Sequence, residues 1–332
     1  MNILVTGDSG FIGSYLTDDL VRSGHRVAGL DIEPAKKHPV RYPYVTGDIR
    51  DAAALASVEG PLDCIIHLAA AHRDFGVTRE EYYSVNVEGM RSLLRFADER
   101  GIRRFFFYST VAVYGDNQPS TEETAPAPVN HYGGSKLEAE AVLREWQSHD
   151  PERQVIILRP AVVFGPLNTA NIFKLVRQVC DRRFIWVGDG NNVKSIAYVG
   201  NITAVTLFLL ERMAPGTAVY NYSDEPNMTT RELVGLISRL SGAPVSRVHI
   251  PLSAAVAAAN VFDLLGRVTG IDFPVTGARL RKFNTPTEHR SGKVRSLGFV
   301  PPFSLEEGLR RNIEWYRTEY RPAAATVQHS DE

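Results

Sequence analysis

The first third of the chain alternates short apolar runs with amphipathic stretches. NILVTG, HRVAGLD, YVTGD, CIIHLAA and RRFFFYST read as strands, and between them Phe11–Ser23 and Val87–Arg100 carry apolar residues at helical spacing. Strands that alternate with helices imply a parallel sheet built from right-handed crossovers, with helices on both faces: a doubly wound α/β fold. A helix over Ser135–Gln147 and a strand near residues 155–164, in VIILRPAVVFG, continue the rhythm. Past Gly165 it loosens. Asn171–Arg182 looks helical, FIWVGDGNN is a strand and turn, and SIAYVGNITAVTLFLLER combines a strand with a helix. Thr229–Ser241 is a further helix, with Asn227 and Thr229 as candidate caps, and SLEEGLRRNIEWYR is another. The expected division is a first domain over residues 1–165, joined by 195–221, and a smaller α/β domain from 166–194 and 222–320. Residues 321–332, with little to bury, are expected to be a disordered tail.

Composition narrows the function classes. The 332 residues are 44% hydrophobic and 23% charged, with 37 basic against 38 acidic residues, so there is no positive surplus for a phosphate backbone and nucleic acid is not an expected partner. Cys64 and Cys180 lie far apart in apolar settings without metal-ligand spacing and read as buried thiols; no metal site is expected. MNILVTG has neither a charged leader nor a long apolar run, which gives a cytoplasmic expectation. The most apolar later stretch, Leu252–Leu265, is too short to span a bilayer and reads as a core or lid helix, with membrane-surface contact as the alternative.

Candidate chemistry begins at TGDSGFIG, where Gly7, Gly10 and Gly13 form GxxGxxG between the first strand and the first helix. Such glycines let the backbone turn tightly, approach a pyrophosphate, and pack helix on sheet. Asp31 ends the second strand about 20 residues on, where a carboxylate accepts the ribose hydroxyls of NAD and repels the 2′-phosphate of NADP. Lys36 and Lys37, a few residues later, read as a solvated loop. Asp48 in GDI is a candidate for the adenine, Ala69 and Ala70 allow close approach of a cofactor, and His67 reads as a packed core imidazole.

Tyr132-Gly-Gly-Ser-Lys136 places a phenol and an ammonium at i and i+4 on one helix face. A tyrosine with a reference pKa of about 10 needs roughly 3 units, or about 4 kcal/mol, to act as a base near neutrality; a neighbouring ammonium favours the phenolate. Upstream, the strand FFFYST ends at Ser109 and Thr110, whose hydroxyls fall at the carboxyl end of a parallel strand, where such folds bind ligands.

Together TGDSGFIG, Asp31, GDIRD, HLAA, NVEG from Asn86, YSTVAVYG, YGGSK, LRPAVVFGP, WVGDGNN and LGFVPPFSLEEGLR resemble the extended short-chain dehydrogenase/reductase superfamily, and within it the NAD-dependent nucleotide-sugar epimerase/dehydratase family, over nearly the whole chain. The resemblance implies a Rossmann-type NAD-binding domain, a smaller C-terminal substrate domain, a nucleotide-diphosphate sugar as substrate, and a homodimer through helices around 90–100 and 135–148. It assigns Thr110, Tyr132 and Lys136 to catalysis. It assigns Gly7, Gly10, Phe11, Ile12, Gly13, Asp31, Asp48, Ile49, Leu68, Ala69, Ala70, Asn86, Ser109, Tyr132, Lys136 and Pro160 to the cofactor.

Within the family, the residues after the threonine select the reaction. Sugar 4,6-dehydratases carry Asp-Glu there, UDP-xylose synthases keep the glutamate, and GDP-fucose synthases have a cysteine; here Val111 and Ala112 move no protons. What remains is a 4-epimerase, or a 4-ketoreductase with the same catalytic set, and Asp31 leans toward the epimerase. Two positions depart from the family pattern: Val162 replaces the asparagine of LRxxN, and Lys194-Ser195-Ile196 replaces an arginine clamp. Thr110 and Lys194 are the substrate candidates, with Arg279 and Arg281 of the basic PVTGARLRKF as a replacement phosphate clamp. LRPAVVFGP, AYVGNI and the apolar LSAAVAAANVFDLLGRVTG also resemble the 3β-hydroxysteroid dehydrogenase branch, which keeps an alcohol dehydrogenase open. Regulators of this fold without turnover lose the YxxxK pair, which is present. Asn201-Ile-Thr reads as a helix cap, and Glu122 and Glu123 as solvating their proline-rich loop.

Overall fold

The computed structural model describes residues 1–34, 42–73, 76–246, 248–269 and 277–322. Six strands, β1 (Asn2–Thr6), β2 (Arg26–Asp31), β3 (Tyr44–Thr46), β4 (Cys64–His67), β5 (Arg104–Tyr108) and β6 (Gln154–Pro160), form one sheet with a seventh at Gly216–Tyr222. The order is Gly216–Tyr222, β6, β5, β4, β1, β2, β3, and every pairing is parallel. The reversal of chain direction across the sheet falls between β1 and β4, the crevice where doubly wound folds receive a ligand.

The strands read as continuous apolar runs because both faces are covered. Ile3, Leu4 and Val5, Cys64 to Ile66, and Phe105 to Phe107 are completely buried. Helix α1 (Phe11–Arg22) buries Gly13, Leu16, Thr17 and Leu20, one stripe at helical spacing. It packs on the Val199–Leu210 helix.

The chain forms two compact units. The first holds 1–163, 199–223 and 289–303, and the second 164–198, 224–288 and the chain from 304 on. The segment 289–303, expected in the second domain, thus belongs to the first: Ser223 N donates to Ser291 Oγ at 2.6 Å, and Ser223 Oγ donates to the His289 carbonyl at 2.9 Å. The edge strand Gly216–Tyr222 has no apolar run to announce it; it is held by seven residues in register with β6. Asn201 does not cap a helix. It lies completely buried inside Val199–Leu210, its amide donating to the Phe303 carbonyl at 2.9 Å and accepting from Phe303 N at 3.0 Å.

In the second unit the Asn171–Cys180, Thr230–Ser241 and Leu305–Trp315 helices pack on one another, with Phe173 against the rings of Trp315, Tyr316 and Tyr320. Thr229, not Asn227, caps Thr230–Ser241, in a reciprocal box with Glu232. The Leu252–Thr269 helix, expected as a core or lid helix, is not a core element over its described side chains. Among its described side chains only Ala259 is buried. Lys36, Lys37, the Arg279 side chain and residues 323–332 lie outside the described residues.

One buried charge pair ties elements of the first unit to one another. Glu140, on the His131–Ser148 helix, takes a two-pronged contact from Arg159 of β6: Nε to Oε1 at 2.8 Å and Nη2 to Oε2 at 2.5 Å, with both side chains at most 4% exposed. Ser109 donates to Glu140 at 2.5 Å, and Arg159 Nη1 donates to Tyr114 Oη at 2.8 Å. Burial disfavours the guanidinium's charge, but Glu140 and Tyr114 hold its pKa above the ordinary arginine range. Glu140→Gln is expected to lower unfolding free energy by about 3–5 kcal/mol, because it leaves Arg159 charged, buried and unpaired. Joint replacement by Glu140→Met and Arg159→Leu recovers most of the loss; urea denaturation of the three proteins measures both.

Candidate active site

β1 is followed by Gly7, whose N–H donates to the Leu30 carbonyl of β2 at 2.8 Å and whose φ is +76°. A side chain at Gly7 would meet the Ala69 nitrogen at 2.5 Å, and one at Gly13 the Gly7 oxygen at 2.2 Å, so the loop, the segment after β4 and α1 touch backbone to backbone. Gly10 precedes α1 and no side chain caps the helix, leaving its first N–H groups for an anion. Phe11 and Ile12 open the helix half-buried. Asp31, at the end of β2, is aimed by two N–H groups: Ser9 N reaches Oδ2 at 3.1 Å and Glu33 N reaches Oδ1 at 3.0 Å.

Inside the loop lies a residue that the glycine pattern does not single out. Asp8 is 2% exposed, accepts from Tyr42 Oη at 3.0 Å, and has a second oxygen, Oδ1, buried without a partner. Burial pushes its carboxyl up to about 6, against the Tyr42 hydrogen bond and with the help of the Asp31 charge. The signal was in the sequence as an acid between glycines of an anion loop.

The remaining candidates of the first unit gather at the carboxyl ends of the same strands. Leu68, Ala69 and Ala70 follow β4, Ser109 and Thr110 follow β5, and Pro160 closes β6. Asn86 sits in a π-helical turn, Ser84–Glu88, a departure from α geometry frequent at functional sites. Its amide accepts from Ala71 N at 2.9 Å and donates to the Ala71 carbonyl at 3.1 Å and to Ser135 Oγ at 2.9 Å. It therefore fastens the segment after β4 to the helix that carries Tyr132.

Tyr132 and Lys136 lie on His131–Ser148, capped by Asn130. A side chain at Gly133 would meet the Ala112 carbonyl oxygen at 2.6 Å, so this helix and the Val111–Tyr114 turn can approach only because the position is glycine. Thr110 caps that turn, accepting from Ala112 N at 3.1 Å, and this leaves the hydroxyl proton free to be donated. Lys136 is 2% exposed, with Nζ 4.1 Å from the Phe107 ring centre and no hydrogen bond or ion pair among the described residues. Burial pushes it down to about 7, although Glu140 favours its charge. His67 is the packed imidazole expected: it stacks on Phe107 at 5.5 Å, shares a 2.7 Å hydrogen bond with Thr6, and is kept neutral by burial and by Lys136.

Three of the expected cofactor residues have side chains that are engaged within the protein. Ile49 is buried against Gly89, and the Ser109 hydroxyl is given to Glu140. Asp48 is engaged by Arg50, through Nε at 2.9 Å and Nη2 at 2.5 Å, which holds its carboxyl below the usual range. In the second unit, Lys194 Nζ donates to the Thr285 carbonyl at 2.7 Å, and Arg281 is exposed on Gly277–Asn284 one turn earlier.

The residues present fit a dinucleotide: a loop that a single methyl group would close, an uncapped helix start, a carboxylate aimed by two amides, and a buried ammonium with no acceptor among the described residues. The NAD dependent epimerase/dehydratase family model matches residues 3–222. The chain belongs to this family. NAD is its cofactor. A 4-epimerase of Escherichia coli O157:H7 acting on N-acetyl-alpha-D-glucosaminyl-diphospho-ditrans,octacis-undecaprenol is 38% identical over 318 residues, 95% of each chain. A 2-alkyl-3-oxoalkanoate reductase of Stenotrophomonas maltophilia is 27% identical over 94% of this chain and 98% of its own. Among solved structures, UDP-glucose 4-epimerase of Thermotoga maritima with UDP-glucose superposes with a TM-score of 0.77 at 24% identity, covering 96% of this chain and 100% of that one, which supports the fold of this family member.

Asp8 makes the stability of the family's loop depend on pH. Its carboxyl is protonated in both folded and unfolded states below about pH 4; as pH rises through about 6 the folded chain must ionise a buried group, and stability is lost. Asp8→Asn removes that loss. Urea denaturation is expected to show the variant gaining on the wild type between pH 4.5 and 8, by about 2 kcal/mol.

Proposed function

We propose that this chain interconverts the C4 epimers of a sugar carried on a diphosphate, and that the far end of the diphosphate is a polyprenyl chain rather than a nucleoside. The observation that carries this reading is the 38% identity, over 95% of both chains, to an undecaprenol-diphosphate N-acetylglucosamine 4-epimerase. Two features of the chain support it. Val111 and Ala112 offer no acid or base for dehydration or for deprotonation at carbon, leaving chemistry that needs only Thr110, Tyr132 and Lys136. Nucleotide-sugar features are also reduced: Val162 stands where a polar contact to the nucleotide diphosphate is expected, and the ammonium of Lys194 is already bound to Thr285.

NAD, when bound, supplies a hydride acceptor that afterwards serves as donor to the same carbon. Tyr132 removes the proton from the C4 hydroxyl and later returns one to the same oxygen. Lys136, pushed to about 7, exchanges its proton near neutrality and lowers the cost of the phenolate one helical turn away. Thr110 donates its hydroxyl proton to the C4 oxygen and so fixes the carbon. Gly7, Gly10 and the start of α1 take the pyrophosphate, and Asp31 takes the adenosine ribose.

The test is purified protein with NAD and, separately, polyprenyl-diphospho-N-acetylglucosamine and UDP-N-acetylglucosamine. Conversion of the polyprenyl-linked sugar to its C4 epimer without change in mass or net NADH is expected. Turnover of the UDP-sugar alone, or stoichiometric NADH formation, overturns the reading. Tyr132→Phe is expected to lower kcat by more than about 100-fold, in the range removed with a general acid or base, while the melting temperature stays unchanged.

A further inference from the structure

The second unit carries an apolar face that no described element covers. In the strand pair of Trp186–Val187 with His249–Ile250, Val187 lies beside Ile250. Ile185 and Val248 lie two residues earlier on each strand, on the same face by the two-residue period of extended chain. On the first strand the opposite positions, Phe184 and Trp186, are 5% and 9% exposed, and on the second His249 is exposed with its ring stacked on Trp186; Ile185 is 55%, Val248 64% and Ile250 36% exposed. The chain continues from Ile250 into the Leu252–Thr269 helix, where Ala254, Ala257 and Ala258 are exposed. From 248 to 260, thirteen residues, there is no Asp, Glu, Lys or Arg. A solvated surface of that length normally carries charge.

Cations border this face. Arg182 and Arg183 precede Ile185, are exposed, and make no side-chain hydrogen bond or ion pair among the described residues. The adjacent acid, Asp181, is already engaged by Arg177 and Tyr316. We propose that the Ile185–Val248–Ile250 face and the start of the Leu252–Thr269 helix dock on an anionic lipid surface, with the apolar residues entering the interface and Arg182 and Arg183 meeting the headgroups. Charge selects this occupant: two exposed arginines with no side-chain ion pair among the described residues stand at the edge of an apolar face and complement anionic headgroups. No helix among the described residues is long and apolar enough to cross a membrane, so the attachment is peripheral. The proposal rests on the reading that the substrate is polyprenyl-linked: such a substrate is held at a bilayer, and an enzyme resting there meets it in two dimensions.

The experiment is co-sedimentation of the full chain with phosphatidylcholine vesicles, with and without phosphatidylglycerol. Binding to the anionic vesicles only, weakened by salt, is expected. Ile185→Asp combined with Val248→Asp, and independently Arg182→Glu combined with Arg183→Glu, are each expected to weaken it at least about tenfold with melting temperature unchanged. Should the aspartates unfold the unit, Ile185→Ser with Val248→Ser tests the same face. Absence of wild-type binding, or equal binding by folded variants, overturns the proposal, as does conversion of a dimer to a monomer by the apolar variants without vesicle binding. Turnover measured in detergent keeps the two ideas apart: vesicle binding with turnover of UDP-sugars alone retains the surface and overturns the polyprenyl substrate.

Discussion

The contact between Glu140 and Arg159 sets the frame for the catalytic face. It joins the helix bearing Tyr132 and Lys136 to β6, and through Ser109 and Tyr114 it also holds the end of β5 and the turn that starts at Thr110. An apolar contact could supply similar attraction, but it would tolerate sliding along the helix. A forked guanidinium facing both carboxylate oxygens does not, because a shift of one residue leaves a charge in a dry interior. The pair thus specifies the rotation of the helix, and with it which of its residues look toward the strand ends.

The same dryness shapes the ionisable groups of the first unit. Lys136 and Asp8 are both moved toward neutrality by loss of water, and His67 stays uncharged beside Lys136. Lys136 depends on Glu140 for what favourable charge it receives, so the framing pair also tunes the ammonium it positions. Phe107 serves two neighbours, the ammonium and the imidazole, and gives each an aromatic surface where a polar partner would alter the charge.

Much of this was legible in the sequence for physical reasons. Runs such as NILVT and RFFFY are apolar throughout because both faces of a parallel strand are covered, and GxxGxxG is explicit because backbone contacts tolerate no side chain. Spacing of four between Tyr132 and Lys136 was enough to place both on one helix. Side-chain direction at strand ends was not legible: Ser109 and Thr110 are neighbours with hydroxyls, and the pleat sends one to Glu140 while the other caps a turn. The Gly216–Tyr222 strand escaped notice because its pairing with β6, rather than its composition, holds it. Arg159 lies inside an apolar run where its partner, nineteen positions back on a helix, has no local signature.

Asn86 illustrates how narrow such a site can be in composition. Its amide faces both the N–H and the carbonyl of Ala71, and reaches Ser135 with the same nitrogen. Only a group with an acceptor at one corner and donors at the other satisfies that arrangement. Aspartate has the same shape, yet it would turn an oxygen toward the Ala71 carbonyl and convert a clasp into a repulsion. At this position a change of one atom, with no change in volume, separates the strip of backbone beside the glycine loop from the helix that bears the tyrosine, so the fit between them is written in hydrogen-bond polarity rather than in size.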